Sequence, residues 1–145
     1  MRLRSIALAM TLLLVPGMAF AETDIDAVCY DDCEAATHSN PDYKACVAHA
    51  ADKADAALNQ AYKSLQDKIR AAGKDMGQSP DVQLADLKDA QKQWIAYRDG
   101  NCTLEDSLAF GGTAIGGNYS SCLCALTYER ISDFQRIGKQ VLGLE

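Results

Sequence analysis

The chain lacks three common catalytic signatures. It has no Gly-x-Ser-x-Gly, no His-Glu-x-x-His and no phosphate-cradling glycine loop, which removes the usual marks of hydrolases, zinc peptidases and nucleotide-binding proteins. Histidine is nearly absent. Only His38 and His49 occur, and neither sits in a nucleophile or metal motif; His49, within a turn of Asp52 and Lys53, reads as solvated helix surface. Glu105 and Asp106 are adjacent and diverge from a helix, so they make a poor acid/base pair. Nothing resembles a basic patch: 14 Lys and Arg face 20 Asp and Glu, and an acidic surface repels nucleic-acid phosphates. Alternating strand patterns, internal repeats and low-complexity linkers are missing as well. What remains points away from an enzyme, a cofactor or a nucleic-acid partner.

The N-terminus, by contrast, is well marked. Arg2 and Arg4 precede a short apolar core, Ile6 to Val15, and a small-x-small site at Ala19-Phe20-Ala21. This is the three-part pattern of a secretory signal, so residues 1–21 read as a signal peptide and 22–145 as one mature domain beginning at Glu22. The apolar core is short of the roughly twenty residues that span a bilayer, which argues against the alternative of an uncleaved anchor. No cysteine follows the cleavage site, so a lipid anchor is not expected. Loss of the two arginines takes the formal charge from −6 to −8. Such acidity keeps a small exported domain soluble, and equally would attract a cationic partner.

All six cysteines lie in the mature part: Cys29, Cys33, Cys46, Cys102, Cys122 and Cys124. An even count behind a signal peptide reads as a disulfide framework. Cys122-x-Cys124 and Cys29-x3-Cys33, with His38 or His49, resemble soft-metal ligand sets, but in an oxidising compartment these residues become disulfides and no metal is expected. Loop logic ranks the pairings. Cys102 with Cys122 would close a loop of about twenty residues, worth on the order of 3 kcal/mol. Cys29 or Cys33 with Cys46 would pin the N-terminal segment, and the remaining one would reach Cys124.

Asn40-Pro41 reads as a helix start, with Asn as N-cap and Pro at the first helical position. Tyr43, Val47, Ala50, Ala54, Leu58, Ala61, Leu65 and Ile69 then recur every three or four residues, one apolar stripe that ends at Gly73 and Gly77. Asp52, Lys53, Asp55, Lys63 and Asp67 fall mostly off the stripe. Ser79-Pro80 opens a second helix to about Leu108, with a stripe of Leu84, Leu87, Ala90 or Gln91, Trp94, Tyr97 or Arg98, and Cys102. Residues 109–118 hold four glycines and read as a loop. A third helix from Asn118 or Ser120 would bury Leu123, Leu126, Arg130, Phe134, Ile137 and Val141. Residues 24–38 add a short helix with Cys29 and Cys33 on one face. The expected fold is all-α: a small disulfide-stapled bundle of three main helices plus a short N-terminal helix.

Trp94 and Tyr97 at helical spacing are expected in the core. Arg98 lies beside that stripe and must pair if buried; Asp99 is poorly oriented at i+1, and Glu105 stands one helical repeat away. Arg130 poses the same question on the third helix. A structural ion-pair network tying the second and third helices is preferred to catalysis. Two sequons, Asn101-Cys102-Thr103 and Asn118-Tyr119-Ser120, are read as coincidental.

Three blocks, in order, resemble the LprI-like lysozyme inhibitor family. They are Cys46-Val47-x3-Ala51-Asp52-x2-Asp55-x2-Leu58-Asn59-x2-Tyr62-x2-Leu65; Ala90-Gln91-x2-Trp94-Ile95-x-Tyr97-Arg98-Asp99-x2-Cys102; and Gly111-Gly112-Thr113 with Cys122 and Leu126-Thr127-x2-Arg130. The resemblance spans about residues 29–137 and implies a small exported bacterial helical protein, periplasmic or secreted, with lysozyme or another basic envelope protein as partner. The chain departs from the lipoprotein member that gave the family its name by lacking a lipid-attachment cysteine, and carries Cys33 and Cys124 beyond a more usual four. Lysozyme works with two carboxylates in a cleft, and the glycine loop, braced by a bridge at Cys102, is the segment best able to enter one. Phe110 or Ile115 would anchor it, Gly111 and Gly112 would shape it, and Thr113 and Asn118 would supply hydrogen bonds. The competing reading is a structural or envelope-associated protein whose loop is an ordinary interhelical connection.

Overall fold

The structure is a computed structural model, and it describes residues 24–143. The expected signal segment therefore lies outside the described residues. The described residues contain helices and no strand, with the all-α architecture expected. A π-helical turn, Ala27–Asp31, runs into the short helix α1, Asp32–Ala36. Three long helices follow: α2 over Asn40–Asp75, α3 over Asp81–Ser107 and α4 over Gly117–Arg136. A second π-helical turn, Ile137–Val141, follows directly on α4.

Helix α2 exists because its apolar residues recur at helical spacing over 36 residues, about 54 Å of helix. Val47, Ala50, Ala54, Leu58 and Leu65 of the stripe are buried. The start lies one residue earlier than the sequence indicates. Ser39, in extended conformation, is the N-cap, and its hydroxyl accepts from the Asp42 amide at 3.3 Å. Asn40 is already helical, and Pro41 sits where a missing N–H is harmless, since the first four amides have no intrahelical acceptor. The next start shifts the opposite way, with Pro80 as N-cap and Asp81 as the first helical residue. Gly73 does not end α2. It is buried inside the last turn, where an added Cβ would stand 3.0 Å from the Gln78 carbonyl oxygen, and Gly77, with φ +65°, makes the stop.

Helix α4 is the centre of the bundle. It packs chiefly on α2 and, on another side, on α3, while α2 and α3 touch little. The stripe expected on α4 is therefore rotated. The buried line is Gly117, Ser121, Cys124, Thr127 and Phe134 facing the bundle; Leu123, Leu126, Arg130 and Ile137 are only half-buried, and the Val141 side chain lies outside the described residues. The rotation follows from composition, because small residues on α4 let the alanine-rich face of α2 approach closely.

The apolar core has two parts. Cys29, Ala50, Ala54 and Cys124 form one end, packed by Ile25, Val28 and Tyr128. Leu58, Leu65, Leu87 and Phe134 form the other, packed by Tyr62, Trp94 and Ile131. Five of the twelve buried apolar residues described are cysteines, so bridges occupy space that a larger core would give to branched side chains. Cys29 joins Cys124, Cys33 joins Cys46 and Cys102 joins Cys122, one of the two arrangements that loop logic left open, with the choice between Cys29 and Cys33 made by the fold. A thin core in a small domain is the situation in which disulfides carry a large share of stability.

Candidate functional site

Two arrangements lie along α3 and α4: a buried cation cluster between the helices and the loop that connects them. Residues 94, 98 and 102 are four apart, so Trp94, Arg98 and Cys102 lie on one line of α3. Tyr97, expected with Trp94 in the core, points out and is 60% exposed, whereas Arg98 is the buried neighbour at 9%. The guanidinium can replace the phenol inside because every side of it is engaged. Nη1 donates to Asp55 Oδ1 on α2 at 2.7 Å and to Thr127 Oγ1 on α4 at 3.2 Å, while Nε donates to Asp99 Oδ1 at 3.0 Å. Its plane also lies 5.1 Å from the centroid of Trp94.

Arg130 approaches the same indole at 5.7 Å and stacks on Phe134 at 4.6 Å. It donates to Gln91 Oε1 at 3.1 Å and pairs with Asp133 at 3.6 Å. Burial pushes its pKa down, and Asp133 opposes that shift. Trp94 is thus half-buried beside two cations, an arrangement in which cation–π attraction adds to packing. The network ties α3 not only to α4 but also to α2. Asp99, although at i+1, does bond Arg98, taking both Nε and Nη2 at 3.0 Å. Glu105 makes no ion pair among the described residues; it is exposed, and its charge acts instead on Tyr30, whose phenol pKa is raised first by burial and then by Glu105. Asp55 and Thr127 reach Arg98, and Gln91 reaches Arg130, from other helices, so spacing along a single helix does not reveal them.

The loop is clamped at both feet. The Cys102–Cys122 bridge links α3 to α4 below it. Above the bridge, Asp106 Oδ1 accepts from the backbone amides of Gly116 at 2.6 Å and Tyr119 at 3.2 Å. A carboxylate from the end of α3 thereby caps the N-terminus of α4, where unpaired amides and the helix dipole favour negative charge. Successive turn bonds, Phe110 to Ser107, Gly112 to Ala109 and Gly117 to Ala114, carry the chain across. Gly111 and Gly116, both at φ +83°, take conformations that side chains resist.

On this frame Phe110 is 89% exposed and has φ +47°. A bulky residue in the left-handed region is costly and marks a position worth functional attention. Thr113 and Ile115 are exposed beside it, as are Gly111 and Gly112. Asn118 is not in the loop; it is half-buried in the first turn of α4. No group of three or more metal-ligating side chains is gathered among the described residues.

Fold and loop together define a disulfide-stapled helical module that displays an apolar, braced turn. The model of the family described as Lysozyme inhibitor LprI matches residues 31–134, and the chain belongs to that family. It is also 34% identical, over 109 residues, to a protein of Rhizobium meliloti (strain 1021) that carries the name uncharacterized; the match covers 73% of this chain and 78% of that protein. No solved structure matches.

Proposed function

We propose that this protein is an exported, non-enzymatic inhibitor of a lysozyme-type glycoside hydrolase that seats its 109–116 loop in the enzyme's cleft. The observation that carries the reading is Phe110, an exposed aromatic held in a strained backbone conformation on a turn clamped by a disulfide and a carboxylate cap. Rigid exposed aromatics are the preferred anchors of protein interfaces, because little entropy is lost when they bind. Family membership supports the choice of enzyme. A lysozyme cleft presents two carboxylates across the scissile bond. The hydroxyl of exposed Thr113 is a donor suited to them, while Phe110 and Ile115 supply apolar contact. Asn118, at the foot of the turn, would extend the contact.

Export is supported by the three disulfides, which persist in oxidising compartments, and by the signal-like pattern at residues 1–21. The charge of −8 on residues 22–145 favours encounter with a basic enzyme. Within residues 24–143 no helix is long and apolar enough to cross a membrane.

The test is lysis of a cell-wall suspension by a basic lysozyme, with the oxidised protein titrated to micromolar excess. The lysis rate falls and saturates near equimolar protein, and Phe110→Ala abolishes the effect with helical content intact. A lysis rate unchanged at that excess overturns the proposal.

A further inference from the structure

We infer that the inhibitory contact does not stop at the loop but continues along one side of α3, where Tyr97, Leu104, Leu108 and Phe110 form a docking ridge for a cationic protein surface. The inference rests on the inhibitor reading and adds a second element to it. Tyr97 is 60% exposed, Leu104 60% and Leu108 59%. Single exposed leucines are ordinary, but these are aligned. With about 100° between successive residues, positions 97, 104 and 108 fall within an arc of about 40° and span about 16 Å. The turn bonds at Ala109 and Phe110 lead the chain from the end of α3 into the loop, and Phe110 follows Leu108 by two residues. An aligned apolar row on the outside of a small domain marks an interaction surface.

Charge selects the occupant. From residue 93 to residue 120 the one cation is Arg98, and it is buried and paired with Asp55 and Asp99. The exposed carboxylate of Glu105 flanks the ridge, and Asp86 continues its line toward the start of α3. The lysines of α3 are elsewhere. Lys88 and Lys92 stand with Ile95 on the other side of the helix, lining a groove of about 360 Å³ against α2. An apolar row with an acidic, cation-free border fits a partner whose surface offers apolar pockets ringed by lysine or arginine. A second copy of this acidic chain would bring like charges together.

The experiment measures binding of the oxidised full chain to a basic lysozyme by calorimetry. Leu104→Ser/Leu108→Ser is expected to raise Kd at least tenfold, with helical content and melting midpoint unchanged because both side chains are exposed, while Lys88→Ser keeps the wild-type Kd. Wild-type affinity in the double variant overturns the ridge and leaves the loop-based inhibitor reading standing. If the double substitution instead abolishes a concentration-dependent dimer in sedimentation and spares lysozyme binding, the ridge is a self-association face and the inference is wrong. No binding by the wild-type chain overturns the inhibitor reading and the ridge with it.

Discussion

Arg98 donates to Asp55 Oδ1 at 2.7 Å across 43 residues of chain, and this contact joins two helices, α2 and α3, that otherwise meet very little. The two partners are not equivalent. The Arg98 side chain is 11% exposed and that of Asp55 is 53%, so the cation depends on the network while the carboxylate remains largely hydrated.

That asymmetry predicts unequal costs. Arg98→Ala strands the Thr127 hydroxyl and removes the cation from Trp94, a loss of about 2–3 kcal/mol by the usual cost of breaking a buried polar network. Asp55→Asn costs about 1 kcal/mol or less, because half-solvated pairs are weak and Asp99 still holds the guanidinium. Urea unfolding with all bridges intact measures both, and equal costs would contradict the hub role of Arg98.

Under the proposed function, Phe110 sets stability against inhibition. Asparagine accepts the left-handed region far better than phenylalanine, so Phe110→Asn should raise unfolding stability by about 1 kcal/mol, the low end of the cost of such strain. The same change removes the exposed ring and should abolish lysozyme inhibition. Denaturation and lysis assays on one variant read the two effects, and a variant that is destabilised refutes the strain.

The bridges should separate by loop length. Cys29 and Cys124 are 95 residues apart, and their bridge is worth on the order of 4–5 kcal/mol by loop-closure entropy. Cys102 and Cys122 are 20 apart, worth about 3 kcal/mol on the same scale. Cys29→Ala/Cys124→Ala is expected to lower the melting midpoint further than Cys102→Ala/Cys122→Ala. Only the second pair frees the loop, so it should lose more inhibitory activity per degree of stability lost.

Tyr30 predicts an alkaline weakness. Its phenol pKa lies above the ordinary 10.0, raised by burial and then by Glu105 and Asp26. The folded state therefore holds the proton more tightly than the unfolded chain. The resulting stability is fully present below the unfolded value of about 10 and is lost as pH rises through the folded value. Between about pH 9 and pH 11 the wild type should lose more unfolding free energy than Tyr30→Phe, measured by urea titration at each pH. Parallel losses would show that the phenol is not coupled to folding.

Much of the architecture is legible in local pattern. The α2 stripe, the two Ser/Asn-Pro starts to within a residue, the glycine-rich connection and the pairing of Cys102 with Cys122 all follow from spacing along the chain. The failures share one cause. Tyr97 and Arg98 are neighbours about 100° apart on α3, and hydrophobicity favours the tyrosine for the inside. The arginine wins because α2 and α4 bring Asp55 and Thr127 to it, and neither lies near it in sequence. On α4 the leucine-bearing face loses to a face of small residues for a similar reason: close approach to the alanines of α2 decides the rotation.

The amino-acid order alone therefore determined an acidic, helical and disulfide-bonded chain, since helix periodicity, caps and cysteine spacing act over a few residues. Only the tertiary structure decided which shoulder of each helix is buried, which carboxylate answers Arg98 and which apolar side chains stay outside. Those choices depend on distances between segments far apart in the chain, and no local pattern encodes them.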